Sequence, residues 1–459
     1  MRCLRAFAAL WLVVSAVAAQ AGMINVPCDR PFVFRDAAVN VVVLPFALPQ
    51  QNPRTANRLA QLVQRETLRS IAKFGSVASV QLSDSGASDC QPGDVRAKLL
   101  GERPSGGVPV APGRALVLVW GRIVESGDRL YSQVYVDFVR AGSTEQLELP
   151  FGNGRLVGPF GAQGFAGPQR AIDRATLDKI DDYALRNNVL YESPDEYAPK
   201  VTIPPDVPFS YYVTEIRGDW MRIVVFEPGR VPNGPVSNVQ SAFGGKQWIR
   251  AVAAQPEWTL RKVWPEIAFV EGVAGYLVAS DPKSAVGTPA ARATMIAAAS
   301  RALDEFRENL RSNGLALEQA SFDERYAGTW AVTLELQGAL QMLRADRGVA
   351  DLRAARDKFA ESSRLRPGNA EARNLTLMTD LVLARSADSP KPALDAADAL
   401  LATLGIAPSN AAVQANLQLA YRWLLGQAGP RPPAWRELSV DEQSHLADML
   451  AGLNKLGAR

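Results

Sequence analysis

Few side chains in this sequence carry reactive chemistry, and their spacing argues against most mechanisms. The single histidine, His445, lies among Asp441, Glu442 and Asp448 in a polar stretch near the C-terminus. A nucleophile activated by imidazole would have to recruit it from there, so a structural or solvent-facing role is expected. Zinc held by several histidines and cysteines is out of reach, because Cys28 and Cys90 are far apart and the third cysteine is Cys3. Adjacent carboxylates such as Asp181-Asp182 and Asp323-Glu324 fall on expected helices, where sequence neighbours point apart. A dyad assembled from distant carboxylates is the enzymatic alternative, and its chemistry would be that of a cell-wall hydrolase.

The spacing Gly152-x-Gly154-x-x-x-Gly158 follows an expected strand, Gln146 to Phe151, and invites comparison with a phosphate-cradling loop. Such a loop must open a helix whose N-terminal amides receive the pyrophosphate. Pro159 and the glycines at 161, 164 and 167 prevent that, so the segment reads as a flexible linker. No catalytic residue, cofactor site or metal ligand set is expected. Function should then lie in binding.

The elements that must provide a binding surface start behind an export signal. Arg2 and Arg5 precede an apolar run from Ala6 to Ala19, and Ala19-Gln20-Ala21 is a small-x-small cleavage site. Residues 1–21 are read as a signal peptide, which places the mature chain in the periplasm or outside the cell. The run is shorter than the roughly 20 apolar residues of a spanning helix, and no second long apolar run follows, so no membrane span is expected after cleavage. Losing Arg2 and Arg5 lowers the formal charge from +3 to +1, which leaves no electrostatic footprint for nucleic acid. Cys3 leaves with the signal, and Cys28 and Cys90 are then expected to form a disulfide in an oxidising compartment. Asn25-Val26-Pro27 is not the triplet that precedes a lipidated cysteine. With 459 residues, 47% hydrophobic and 21% charged, the chain has room for about three domains.

The β-branched run Val39 to Phe46 predicts a buried strand. Pro53 opens a helical stretch with Leu59, Val63, Thr67, Ile71 and Phe74 on one face, followed by a strand at Val77 to Leu82 and a helix at Asp94 to Leu100. Ala115 to Val124 and Leu130 to Val139 predict a hairpin, with Leu130, Val134, Val136 and Phe138 on its buried face and Tyr131, Gln133, Tyr135 and Asp137 on its wet one. Val41-Val42-Val43-Leu44-Pro45-Phe46, the following helix and strand, Leu118-Val119-Trp120-Gly121-Arg122-Ile123 and Ser126-Gly127-Asp128-Arg129-Leu130 resemble the α/β module of bacterial envelope proteins of the TolB/CsgG type. That resemblance covers residues 38 to 140 and implies a docking element rather than a catalyst. Arg54 and Arg58 stand where that family has acidic residues.

A helix is predicted from Arg170 to Asn187, then prolines at 194, 199, 204 and 205 mark a boundary. The segment from Tyr211 to Ile223, with Gly218-Asp219-Trp220, and Gly245-Lys246-Gln247-Trp248-Ile249 resemble the two signature strands of bacterial SH3-like barrels. The resemblance implies a groove for peptidoglycan peptides or protein segments, with Tyr211, Tyr212 and Trp220 as candidate ligand contacts. A proline- and glycine-rich insert from Glu227 to Gly244 departs from that family.

From Thr288 the chain is rich in alanine, leucine and arginine at helical spacing, and it repeats. Pro367-Gly368-Asn369-Ala370 with Asn374 recurs as Pro408-Ser409-Asn410-Ala411 with Asn416. Ala355 and Phe359 precede the first proline as Ala396 and Leu400 precede the second, and Leu417 and Tyr421 follow. These are the packing positions of tetratricopeptide repeats, which this stretch resembles from Asp351 to Leu425; Leu438 to Arg459 reads as a capping helix.

The expected fold is a multi-domain α+β chain: signal peptide 1–21, TolB/CsgG-like α/β module 22–150, glycine-rich linker and helix 151–200, SH3-like β-barrel 201–255, helical region 256–350 and TPR-like α-helical solenoid 351–459. The expected function is a non-catalytic periplasmic scaffold whose helical groove holds envelope protein partners. Peptidoglycan binding through the barrel is the alternative ligand chemistry.

Overall fold

The computed structural model describes residues 21–457 apart from 32, 36, 48–61, 65, 75–76, 84–89, 106, 127–128, 144–145, 160–164, 180–188, 203–209, 219, 227–246, 251–259, 282–287, 313–323 and 345–347. Residues 1–20 of the expected signal, the start of the helix expected from Pro53 with Arg54 and Arg58, and the insert from Glu227 to Gly244 lie outside the described residues. The fold is mixed α/β with a C-terminal helical region. It divides into two compact units, Met1–Val136 with Gln169–Gly287 and Asp137–Pro168 with Thr288–Arg459. These cut across the divisions expected at 150, 200, 255 and 350.

In the first unit, β2 (Val39–Val43) is buried at every position, as a strand covered on both faces requires. It runs parallel to β3 (Val77–Ser83) and to β4 (Ala115–Ser126), and β1 (Ala21–Pro27) runs parallel to β3 on the other side. Asn40, the one polar residue of β2, exchanges two hydrogen bonds with the Phe34 main chain at 2.9 and 3.0 Å, which removes the cost of burying its amide. β4 turns into β5 (Arg129–Arg140), where Leu130, Val134, Val136 and Phe138 are buried and Tyr131, Gln133, Tyr135 and Asp137 are partly exposed, as the alternation predicts. Cys28 and Cys90 are disulfide-bonded with Cα atoms 5.1 Å apart, joining the end of β1 to the approach to α1 (Pro92–Leu99).

The sheet is covered by α2 (Glu266–Ser280), which packs on β2 and β4 and is buried from Glu266 to Ala279. A helix apolar on every side needs cover on every side. Val63, Thr67, Ile71 and Phe74 of the expected helical face are buried as well. The two carboxylates of α2 are held by cations: Glu266 accepts from Arg170 at 2.5 Å, and Glu271 accepts from Lys73 and Arg261, each at 2.5 Å. Glu66 accepts from Arg69, and burial nevertheless pushes its carboxyl above the usual range. Arg170 lies in a segment that departs from the sequence reading. Arg170–Ile172 is strand β9, paired with Leu130 to Ser132 of β5, and helix occupies only 174–179 of the described part of the expected Arg170 to Asn187.

β12 (Ser210–Arg217), β13 (Trp220–Phe226) and β14 (Gln247–Arg250) form an antiparallel meander, β14 pairs with β10 (Val189–Tyr191), and β10 with β11 (Lys200–Thr202). The described strands do not close into the barrel expected over 201–255. The second neighbour of β12 is β1, so its outer main-chain groups are satisfied by the parallel sheet instead of by β11.

The helices of the second unit are α3 (Pro289–Ser312), α4 (Glu324–Met342), α5 (Val349–Leu365), α6 (Ala370–Ala384), α7 (Lys391–Ile406), α8 (Ala411–Leu424) and α9 (Val440–Gly457), each packed on the next. The sequence repeat is also a backbone repeat. Arg366 and Ala407, each before a proline, leave the helical region at nearly the same angles, φ −131° and ψ 71° against φ −130° and ψ 75°. Proline at the next position enforces that exit. Asn369 and Asn410 then cap the following helices, accepting from main-chain N–H groups of the first turn. Ala355, Phe359, Ala396, Leu400, Leu417 and Tyr421 are all buried, whereas Pro367 and Pro408 are exposed at the turns.

α9 begins with a reciprocal cap: Ser439 accepts from the Glu442 N–H at 3.2 Å, and Glu442 accepts from the Ser439 N–H at 2.7 Å. The Arg436 guanidinium beside it, with that cap, holds the Glu442 carboxyl down at about 2. A carboxyl held below its ordinary 4.5 stabilises the fold above that pH and loses the contribution as pH falls toward 2. The first turn of α9 is therefore expected to fray over that interval. Backbone carbon shifts of Asp441 to Gln443 would follow it, and shifts that stay constant would count against the cap.

Candidate functional site

The glycine-spaced segment that reads as a linker is a β-hairpin. β6 (Gln146–Phe151) and β7 (Gly154–Pro159) pair antiparallel around the two-residue turn Gly152-Asn153, with Gly152 at φ +56°. One face carries Leu147, Leu149 and Phe151 opposite Gly158, Leu156 and Gly154, so a glycine lies across from the residue at each end of the hairpin and two leucines meet between them. The four large side chains of that face are buried; the other face carries Glu148 and Arg155, ion-paired at 2.7 Å.

Glycine is required because helices lie against this face. A Cβ on Gly158 would come within 2.5 Å of Leu375 Cδ2 and 2.6 Å of Met378 Sδ on α6, and one on Gly154 within 2.9 Å of Leu419 Cδ1 on α8. Leu156 projects between the two glycines. At the turn, Phe151 packs against Trp423 with ring centroids 4.6 Å apart, and the Asn153 N–H donates to the Ala428 carbonyl at 2.7 Å.

The outer edge of β7 is where the polar chemistry sits. Asn416 closes on the Val157 main chain: its Oδ1 accepts the Val157 N–H at 2.7 Å, while its Nδ2 donates to the Val157 carbonyl at 2.7 Å. One side-chain amide thus offers a strand edge the same donor and acceptor that a neighbouring strand would. Asn374 Nδ2 donates to the same carbonyl at 2.9 Å, and Asn374 Oδ1 accepts from Asn416 Nδ2 at 2.8 Å. Both asparagines are buried. Pro150 and Pro159 occupy positions in register with this outward-facing set, where a missing N–H breaks no ladder bond.

Farther along the same segment, in β8 (Phe165–Ala166), the Ala166 carbonyl accepts from the Thr329 hydroxyl of α4 at 3.0 Å, and Phe165 packs edge-on against Phe306 of α3 at 5.8 Å. Thr329, Asn374 and Asn416 belong to α4, α6 and α8, the first helices of successive pairs. They form a ladder that bonds main chain and ignores side-chain identity. No protein-family model, curated protein or solved structure matches this chain. What the site does has to be argued from this geometry.

The residues singled out as ligand contacts lie in the first unit. Trp220 is half-buried, edge-on to Tyr191 at 4.9 Å, with the Arg250 guanidinium 5.8 Å from its ring. Tyr211 and Tyr212 pair with Val225 and Val224 on the β12–β13 ladder, and their side chains lie outside the described residues. No described contact brings the three together. His445 is exposed on α9. Among the described residues no group of three or more His, Cys, Asp or Glu side chains is placed to hold a metal ion, and no helix is long and apolar enough to cross a membrane.

In the sequence Asn374 and Asn416 stand out only as marks of the repeat. Their recurrence was the available signal, together with glycines 152, 154 and 158 at even spacing, which puts Gly154 and Gly158 on one face of a strand. The two asparagines should not be equal in effect. Asn416→Ala leaves the part-buried Val157 N–H without an acceptor and is expected to cost about 2 kcal/mol. Asn374→Ala leaves the Val157 carbonyl still bonded by Asn416 and is expected to cost about 1 kcal/mol. Denaturant unfolding of the full chain separates them; equal losses would mean that the Val157 N–H is satisfied in another way.

Proposed function

We infer that this protein is an exported, non-catalytic interaction protein of the bacterial cell envelope, and that its C-terminal helix pairs, which resemble tetratricopeptide repeats, act by holding extended chain. The observation that carries the reading is the pair of buried amides, Asn374 and Asn416, closed on the main chain of Val157. An amide that bonds N–H and C=O of one residue recognises a strand without reading its side chain, which is the chemistry of a holding surface. The repeated Pro-x-Asn-Ala junctions, the signal-like first 21 residues and the TolB/CsgG-like strand pattern support the same reading. The strand held is the chain's own, so the first task of the helices is to fix residues 146–166. The alternative is peptidoglycan binding through the SH3-like strands, for which no described contact brings Tyr211, Tyr212 and Trp220 together, whereas the amide clamp is a contact to protein main chain.

The test is cross-linking of the tagged full chain in the envelope, with cross-linked peptides mapped by mass spectrometry. A protein partner joined to α4 through α9 is expected. Recovery of peptidoglycan alone, or of partners joined only to the first unit, would remove the helices from the account.

A further inference from the structure

We propose that Arg307 of α3 and Lys358 of α5 form, across α4, a site for a carboxylate carried by an acidic segment of a partner protein. The proposal rests on the reading of the helices as a surface for protein partners and adds a second contact, away from the hairpin. Gln337 of α4, to which Arg307 bonds, lies about a quarter turn around that helix from Thr329, which faces β8. Arg307 is held in place without a ligand. Its guanidinium lies 5.3 Å from the Trp330 ring and its Nη1 donates to Gln337 Oε1 at 3.1 Å, while Gln337 Nε2 donates to Asp304 Oδ1 at 2.7 Å. Its Nε is buried and makes no hydrogen bond. Lys358 is half-buried as well, and among the described residues no hydrogen bond or ion pair reaches its ammonium. A Cβ on Gly338 would lie 2.6 Å from the Phe359 ring, so this part of α5 is close to the turn of α4 that carries Gln337.

Burial first and Arg307 second hold the Lys358 ammonium below the ordinary lysine range, and burial and Arg311 act on Arg307 in the same direction. Two half-buried cations brought together without a direct counter-ion repel each other. Asp304 and Glu361 oppose that repulsion, yet among the described residues neither forms an ion pair with Lys358 or Arg307, and Arg311 is turned to Glu308 at 3.7 Å. An oxyanion between the two cations would give both a partner, with the guanidinium supplying directed N–H bonds and the ammonium a point charge. The nearby Asp304 and Glu361 carboxylates disfavour a phosphate dianion more than a monoanion, so a carboxylate is the better fit.

The experiment uses the full chain, a capped hexaglutamate peptide as the probe and a capped hexaglutamine peptide as its control. Acetylation by limiting acetic anhydride, read at each lysine by mass spectrometry, should slow about threefold at Lys358 with saturating hexaglutamate, because an anion beside the ammonium keeps it protonated. The exposed Lys391 and Lys455 should react as before. Fluorescence anisotropy of labelled hexaglutamate should show binding about tenfold weaker in Lys358→Gln and in Arg307→Gln, and unchanged in Lys455→Gln. Thermal unfolding separates binding from a structural role. Lys358→Gln removes a half-buried charge that has no direct partner, so without peptide its melting temperature should equal or exceed that of the native chain. The proposal is overturned if hexaglutamine protects Lys358 equally, if Lys391 and Lys455 are protected as much as Lys358, if Lys358→Gln binds like the native chain, or if that variant melts lower. Inorganic phosphate protecting Lys358 as fully as hexaglutamate at equal concentration would mean a site for small free anions and would also overturn it. The assay needs no envelope partner, so its failure is distinct from a failure of cross-linking.

Discussion

Gly152→Val is expected to destabilise the unit formed by residues 137–168 and 288–459 by about 5 kcal/mol, enough to remove much of the stability of an ordinary domain. Two costs add. Gly152 sits at φ +56°, where a side chain costs about 1–2 kcal/mol and a β-branched one fits worst. A Cβ there would also overlap the Ala428 carbonyl oxygen and come within 3.0 Å of Trp423 Cδ1. Main chain cannot rotate away as a side chain can, so the turn must withdraw. It would take the Asn153 bond to Ala428 and the Phe151 contact with Trp423 with it, at an overpacking cost of about 3 kcal/mol. Gly218 is an internal control: its φ is also +56°, yet nothing lies within 4 Å of its Cβ position. Gly218→Ala should therefore cost only the backbone share, about 1 kcal/mol. Equal losses at the two glycines in denaturant unfolding would show that the helices do not press on the turn.

Reduction of the Cys28–Cys90 disulfide is expected to lower the stability of the first unit by about 4 kcal/mol. The bond closes a separation of 62 residues, and the Cα distance of 5.1 Å lies within the ordinary range, so little of the gain should be lost to strain. It ties β1 to the segment entering α1, and β1 bridges β3 to β12. Releasing that end frees the strand on which both neighbours depend. Thermal unfolding with and without reductant should show the transition of the first unit moving down while that of the helical unit stays in place. The Cys28→Ala/Cys90→Ala chain should reproduce the reduced state. An unmoved transition would mean that the reduced chain keeps the same ends together.

These two effects mark the difference between what is local and what is distant in this protein. Val39 to Val43 is legible as a buried strand because its β-branched run carries its own reason for burial. The β4–β5 hairpin is legible because alternation along Leu130 to Phe138 repeats with the period of a strand. The junctions at Pro367 and Pro408 and the caps at Asn369 and Asn410 are legible because a proline acts on the residue before it and a cap on the turn after it. The cysteine pair follows from the count.

The barrel over 201–255 is absent from the described strands for a reason no short window contains. The strand that completes β12 is β1, nearly two hundred residues earlier, and the choice between closing on β11 and joining β1 is made by pairing. Glycines 152, 154 and 158 look like a flexible stretch until helices from the far end of the chain press on them, and then the missing side chains are what the packing needs.

Sequence alone therefore determined the periods, turns, caps and the recurrence of Asn374 and Asn416, since each is set within a few residues. Tertiary structure alone decided what those asparagines hold. Their partner, Val157, is 217 and 259 residues away, and a main-chain N–H and C=O look the same in any sequence until a fold brings an amide to them.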